Sequence, residues 1–198
     1  MPDELLLLLQ NQLEKLFAKK SHVTLAIDGK CGAGKSTLAQ LLTERYSCNV
    51  IHMDDFYLPA SLRTATRLNE AGGNIHYERF CEQVLPSLLT LKENSDNFQP
   101  AFYQVFNCHT MQYKPLTCAI TKQPLTIVEG SYCLRPEFRA AYDLKVFLDI
   151  SSEKQKEKLL ARNGAEALHN FITKWIPMEQ KYFDVLTPAA ICDITFVR

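Results

Sequence analysis

Neither sign of charge is in excess: 22 Lys and Arg stand against 22 Asp and Glu, and no block of like charge interrupts the 198 residues. The usual footprint of a nucleic-acid or anionic-membrane partner is therefore missing. The seven cysteines, at 31, 48, 81, 108, 118, 133 and 192, contain no Cys-x-x-Cys pair and no zinc-ligand spacing. An odd number without a framework reads as buried thiols in a reducing compartment. No aliphatic run is longer than residues 5–9, which are preceded by Asp3 and Glu4 and followed by Gln10. That run suits neither a membrane span nor a signal peptide, so a cytoplasmic location is expected. Internal repeats, low-complexity linkers, His-Glu-x-x-His and the guanine-reading Asn-Lys-x-Asp are absent as well. The length suits one α/β domain over 1–198.

What the chain does contain is Gly29-Lys30-Cys31-Gly32-Ala33-Gly34-Lys35-Ser36-Thr37, which fits the phosphate-binding pattern G-x-x-x-x-G-K-[ST]. Glycines let successive backbone N–H groups converge on a phosphate, and the helix that follows adds the positive end of its dipole. Lys35 is expected to reach the β- and γ-phosphates of ATP, and the Ser36 hydroxyl to meet Mg²⁺. The context agrees: residues 22–27 read as a buried strand that ends at the loop, and 36–46 as a helix.

Residues 3–20 carry Leu5, Leu6, Leu9, Leu13, Leu16 and Phe17 near helical spacing, which predicts a helix packed on the core or, alternatively, one that binds a partner. A short apolar strand over 48–53 stops at Asp54-Asp55. Residues 58–75 read as a long irregular loop, and 77–91 as a helix kinked or split at Pro86. Aromatic and β-branched residues alternate with polar ones over 98–120, predicting a β-hairpin that projects from the main sheet and is a candidate interface for a homo-oligomer. Strands at 125–128, 144–150 and 194–197 alternate with helices at 138–142, from Ser151 or Ser152 to Arg162, and from 165 to 183. The pattern predicts a P-loop NTPase three-layer sandwich, α/β with a mostly parallel sheet and helices on both faces. A lid is expected near 152–170, because Asn163-Gly164 breaks the helical pattern.

Phosphoryl transfer needs a phosphate cradle, a metal, a base for the acceptor and positive charge on the moving group. Asp54, 18 residues beyond Ser36 at a strand's carboxyl end, is the candidate base. Asp55 competes with it, but neighbours in an extended segment point in opposite directions. Glu129 ends another strand, where an acidic residue could hold Mg²⁺ with Ser36. Arg162, beside the Asn163-Gly164 break, is the candidate lid cation, and Arg63 and Arg67 lie in the loop after Asp54, within reach of the acceptor.

These segments resemble the uridine kinase-like P-loop kinases, of the phosphoribulokinase/uridine kinase superfamily. Ala26-Ile27-Asp28-Gly29, the P-loop, Met53-Asp54-Asp55-Phe56-Tyr57, Gly72-Gly73-Asn74, Val128-Glu129-Gly130 and Arg162-Asn163-Gly164 occur in the family's order. Trp175-Ile176-Pro177-Met178-Glu179-Gln180-Lys181-Tyr182-Phe183 is similar to the C-terminal signature of a bacterial branch, and the resemblance covers about residues 22–197. It implies an ATP- and Mg²⁺-dependent kinase acting on a nucleoside or similar small acceptor, with Asp54 as base and Tyr57 at the family's nearby aromatic position. The family's ribose-binding acid falls on His76. Its Tyr-Asp pair appears as Phe106-Asn107, and its hairpin histidine has His109 as the nearest substitute. The phosphate-handling segments thus match the family more closely than the nucleoside-reading ones. A nucleotide-binding regulatory module and an acceptor-free NTP hydrolase are the alternatives.

Overall fold

The computed structural model describes residues 3–108 and 110–198. Five parallel strands form the central sheet in the order β2-β5-β1-β6-β7: β1 is Val23–Gly29, β2 Cys48–His52, β5 Leu125–Glu129, β6 Leu144–Asp149 and β7 Ile194–Val197. Burial on both sides explains the near-continuous apolar runs of β1 and β5. Alternate residues feed different cores, Leu25 and Ile27 on one face and Ala26 and Val128 on the other.

On the first face lie α1 (Asp3–Phe17) and α2 (Lys35–Thr43). Leu5, Leu6, Leu9 and Leu13 of α1 pack with Leu38 and Leu42 of α2 over the strands. Full burial of such side chains contributes about 1.5–3 kcal/mol each, so α1 belongs to this protein's own core. Leu7 and Leu8 face outward.

The other face carries α4 (Tyr77–Gln83), α5 (Leu85–Lys92) and α7 (Ile176–Leu186), packed through Phe80, Val84, Leu88 and Tyr182. The kinked helix expected over 77–91 is two helices, with Pro86 in the first turn of the second, where its missing N–H costs nothing. The expected hairpin is present as β3 (Ala101–Asn107) and β4 (Gln112–Ile120), a separate antiparallel pair.

Three local expectations are corrected. Asp54 and Asp55 lie in a 3₁₀ turn, Met53–Phe56, not in an extended segment. The loop after them contains a short helix, α3 (Ala65–Leu68), started by the Thr64 hydroxyl accepting from Arg67 N. The helix expected at 138–142 is a single 3₁₀ turn, Arg139–Ala141. The break expected at Asn163-Gly164 is present: α6 (Ser152–Asn170) is two helical stretches that meet at Gly164 (φ 82°, ψ 171°), and the second passes through a π turn, Phe171–Trp175, into α7. Pro177 cannot sit in a helix interior without removing a hydrogen bond, and it falls in the first turn of α7. Of the cysteines, Cys133 is buried and Cys108 exposed, so the thiols are not uniformly core residues. Among the described residues no helix is long and apolar enough to cross a membrane.

Candidate active site

Parallel register aligns the carboxyl ends of three strands. Glu129 of β5 pairs with Ile27 of β1 and with His52 of β2, so the P-loop after β1, Glu129 and the Met53–Phe56 turn share one edge. Ligands bind at this edge in open α/β sheets. A cavity of about 840 Å³ lies there, lined by Cys31, Gly32, Gly34, Lys35, Ser36, Thr37, Asp54, Tyr57, Glu129 and Arg162, all anticipated from sequence. Gly29 and Ala33 shape the loop from behind. A Cβ on Gly29 would stand 2.0 Å from Leu148 O, which leaves room for no other residue.

Gly34 takes a left-handed conformation (φ 98°) and hands the chain into α2 without a side-chain cap. Helix geometry leaves the first N–H groups of α2 without intrahelical partners, so they form a cradle for an anion. Lys35 is buried, with Nζ donating to Gly29 O (2.6 Å), Lys30 O (3.0 Å) and Ser131 Oγ (3.1 Å). Ser36 Oγ donates to Glu129 Oε1 at 3.0 Å, and His52 Nδ1 lies 2.6 Å from the same oxygen. That hydrogen bond holds the His52 pKa above its ordinary value. Ser36 and Glu129 offer the adjacent hard oxygens that suit Mg²⁺, which takes few protein ligands and keeps phosphate and water oxygens.

Asp54 opens onto the cavity, whose walls nevertheless strip water from its carboxyl. This desolvation raises its pKa, helped by the Glu129 charge, while Lys35, His52 and the Tyr57 hydroxyl pull it down. A carboxyl with a raised pKa is a better proton acceptor than an ordinary aspartate. Asp55 is buried away from the cavity, its carbonyl accepting from Arg79 Nη2. The 3₁₀ turn separates the two acids as an extended segment would have done, by a different geometry.

Three residues expected at the acceptor side do not line the cavity. Arg67 is bound to Glu78 through Nη1 (2.6 Å) and Nη2 (2.8 Å), and it braces the Gly72-Gly73-Asn74 turn by donating to Gly73 O and Ile75 O. Its local carboxylate and carbonyls outcompete a distant ligand. His76 leads into α4, and Phe106 is buried against Tyr113 inside the hairpin. His109 lies outside the described residues. Arg162 lines the cavity on the lid and donates to its neighbour Asn163.

Sequence reasoning missed the groups that hold the loop. The Glu179 carboxylate, on α7, is 4 % exposed and accepts the Cys31 N–H at 2.9 and 3.0 Å. Its Oε1 lies 2.5 Å from Ser131 Oγ. Asp28 is fully buried beneath the loop, accepting from Gly29 N (2.6 Å), Leu134 N (2.9 Å) and the Tyr182 hydroxyl (2.7 Å). Burial outweighs these hydrogen bonds and raises its pKa to about 6. The spacing of Glu179 and Tyr182, three apart on one helical face, was the available signal. On the acceptor side Arg63, Asn74, Tyr132 and Trp175 also line the cavity.

The sequence matches no protein-family model and no curated protein. Solved structures share its fold. One described as a possible uridine kinase from Bacillus stearothermophilus superposes with TM-score 0.67 at 21 % identity, over 94 % of this chain and 96 % of the other. A candidate fructose transport system kinase from Silicibacter sp. TM1040 gives TM-score 0.67 at 20 % identity, over 97 % and 98 %. D-glycerate 3-kinase from Cryptococcus neoformans gives 0.61 at 14 % identity, over 92 % and 88 %. At these identities the likeness establishes the P-loop kinase fold alone, and the site must carry the argument for function.

Proposed function

We propose that this chain is an ATP- and Mg²⁺-dependent kinase that transfers the γ-phosphoryl group to a hydroxyl of a small acceptor, a nucleoside or a similar hydroxylated metabolite. One observation carries the reading. The P-loop lysine and serine, the acid Glu129 and the carboxyl of Asp54 all face a single cavity large enough for two small ligands. A hydrolase or a nucleotide switch has no evident use for the aromatic side chains, Tyr57, Tyr132 and Trp175, that line the cavity together with Asp54.

ATP with Mg²⁺ supplies the transferable group and most of its charge neutralisation. Asp54 orients the acceptor hydroxyl and takes its proton. Lys35, already held at the mouth of the loop by two carbonyls, turns its ammonium toward the phosphates, and Arg162 adds a second cation from the lid. Ser36 and Glu129 offer oxygens to the metal. Fold neighbours described as uridine, fructose-system and glycerate kinases support a small-molecule acceptor without choosing among them. The test is ATP consumption across nucleosides, pantothenate and sugar-like alcohols. Turnover that depends on one acceptor class is expected. Equal turnover without any acceptor would make the protein a hydrolase, and nucleotide binding without turnover would make it a regulatory module.

A further inference from the structure

The arginines of this protein differ in what neutralises them. Arg67 pairs with Glu78 and Arg135 with Glu137, while Arg79 and Arg139 donate to backbone carbonyls. Arg63 lines the cavity with no carboxylate partner and a single marginal carbonyl contact. Its Nη1 stands 3.5 Å from Leu58 O, at the limit of a hydrogen bond, and its Nη2 is buried with no partner. The guanidinium lies over the Trp175 ring at 5.5 Å, with Tyr57 the polar group that faces it and the Tyr57 and Trp175 rings tilted against each other at 6.2 Å.

The second observation is Asn74. It is 1 % exposed and lines the same cavity, yet both polar atoms of its amide are buried without a hydrogen bond of normal geometry, near the Tyr132 hydroxyl. Its position is fixed, because Leu58 N donates to Asn74 O at 2.9 Å and a Cβ on the preceding Gly73 would stand 1.9 Å from Arg67 O. Polar groups buried in this way are nearly always paired, so each exception calls for an explanation, and Arg63 and Asn74 are set apart by lining the same cavity, where a ligand can reach them. A guanidinium is always charged, so its partial desolvation without a counter-ion is costly, and its planar fork matches a carboxylate or a phosphate. Of the cavity's three carboxylates, Glu179 is engaged by Cys31 and Ser131 and Glu129 by Ser36 and His52, and neither these nor Asp54 acts on Arg63, whose facing polar group is Tyr57.

We infer that the acceptor carries an anionic group, a carboxylate or a phosphate, on a small hydroxylated skeleton, with Arg63 binding the anion and Asn74 a neighbouring hydroxyl or carbonyl. The inference rests on the kinase reading and narrows it. Tyr57 touches both ends of the arrangement, acting on Asp54 through its hydroxyl and on Trp175 through its ring. An anion at Arg63 therefore leaves a hydroxyl of the same small molecule facing Asp54. A neutral nucleoside would leave the guanidinium uncompensated.

Trp175 is the only tryptophan in the chain and reports directly on this compartment. With the P-loop saturated by a non-hydrolysable ATP analogue and Mg²⁺, its fluorescence is titrated with matched pairs: gluconate against sorbitol, and ribose 5-phosphate against ribose, with uridine as a neutral nucleoside. In at least one pair the anion is expected to bind about tenfold or more tightly than its neutral counterpart, as a charge-assisted fork would give. The favoured pair identifies the anion as carboxylate or phosphate. Arg63→Gln should abolish the preference, and Arg63→Lys should keep part of it, melting curves showing that both variants fold. No preference in either pair, tighter binding of uridine than of any anion, or a preference that survives Arg63→Gln would overturn the inference. Acceptor-independent ATP consumption, read in the separate turnover assay, would instead overturn the kinase reading.

Discussion

On the P-loop side of the cavity the protein supplies its own partners. Lys35 donates to Gly29 O, Lys30 O and Ser131, the Cys31 N–H is taken by Glu179, and Ser36 is held by Glu129. On the far side Arg63 Nη2 is buried with none, and the Asn74 amide has only the Tyr132 hydroxyl near it, without a hydrogen bond of normal geometry. The contrast separates two ways of preparing a site. On the proposed kinase reading, the donor half is held in place by internal groups that stand where phosphate and metal would bind, whereas the acceptor half would have its polar groups completed by the ligand. Binding energy at the first is reduced by what must be displaced, and at the second it is increased by what is finally satisfied.

The largest effect should come from breaking the acceptor half alone. Asp54→Asn keeps size and shape but cannot take a proton, so kcat with the identified acceptor should fall about 10²–10⁴-fold, the usual contribution of a general base. Nucleotide affinity, read by calorimetry, should hardly move, because the P-loop contacts are untouched. Full transfer by this variant would remove Asp54 from the chemistry.

The donor half's frame should show itself in pH dependence. Asp28 has its pKa raised from 3.8 to about 6, chiefly by burial, so the folded state binds its proton more tightly than the unfolded chain does. Its contribution to stability is therefore greatest below about pH 4, declines as pH rises toward 6, and stays low above that. The difference corresponds to about 3 kcal/mol. Denaturant titrations of the wild type and of Asp28→Asn should show the wild type losing roughly that much stability relative to the variant between pH 4 and 7. A pH-independent difference would mean that Leu134 N, Gly29 N and the Tyr182 hydroxyl stabilise the carboxylate as well as water does.

The two halves were also unequally legible in the sequence. The donor half could be read because its geometry is local: Gly29 to Thr37 is one loop and one helix start, and the strand ends at Asp54 and Glu129 follow from apolar runs that stop at acids. Even the hairpin and the helix break at Gly164 were visible as pattern. The groups that decide the acceptor half come from segments far apart, Arg63 and Asn74 in one loop and Trp175 in the π turn beyond the lid. Nothing in their spacing says that they meet. Arg67 illustrates the opposite failure. As a sequence feature it was equivalent to Arg63, yet Glu78 and the Gly73 and Ile75 carbonyls hold it away from the cavity. Glu179 escaped notice because its partner, the Cys31 N–H, is a backbone group with no sequence signature.

Glu179 sharpens the comparison with a smaller effect. If its carboxylate occupies part of the anion cradle, a neutral isostere should relieve repulsion of the incoming phosphates. Like charges a few ångströms apart interact by about 1–4 kcal/mol between the limits of bulk water and a protein surface, and the lost anchoring of Cys31 offsets part of that. Glu179→Gln should therefore bind ATP about three- to tenfold more tightly in calorimetric titrations. Weaker binding would show that Glu179 holds the loop in its receptive shape, and the donor half would then be pre-formed but not self-occupied.

The smallest expected effect concerns the break in α6 at Gly164. Gly164 interrupts α6 at φ 82°, ψ 171°, a conformation open essentially to glycine alone, and a Cβ there would meet nothing within 4 Å. Any penalty for Gly164→Ala must therefore come from the backbone and not from packing. Alanine favours a helix over glycine by about 1 kcal/mol, and that gain offsets much of the strain if the chain straightens through the break. Global stability should change by less than about 1 kcal/mol. Straightening α6 would, however, swing the residues beyond 164 relative to Arg162, and with them Phe171 and Trp175 of the cavity wall. A shift in Trp175 fluorescence, with kcat/KM for ATP lowered only a few-fold, is the expected signature. An unchanged emission spectrum together with a stability loss of 2 kcal/mol or more would mean that the break is held rigidly by its surroundings, and that the lid does not move between the donor and acceptor halves by bending at this residue.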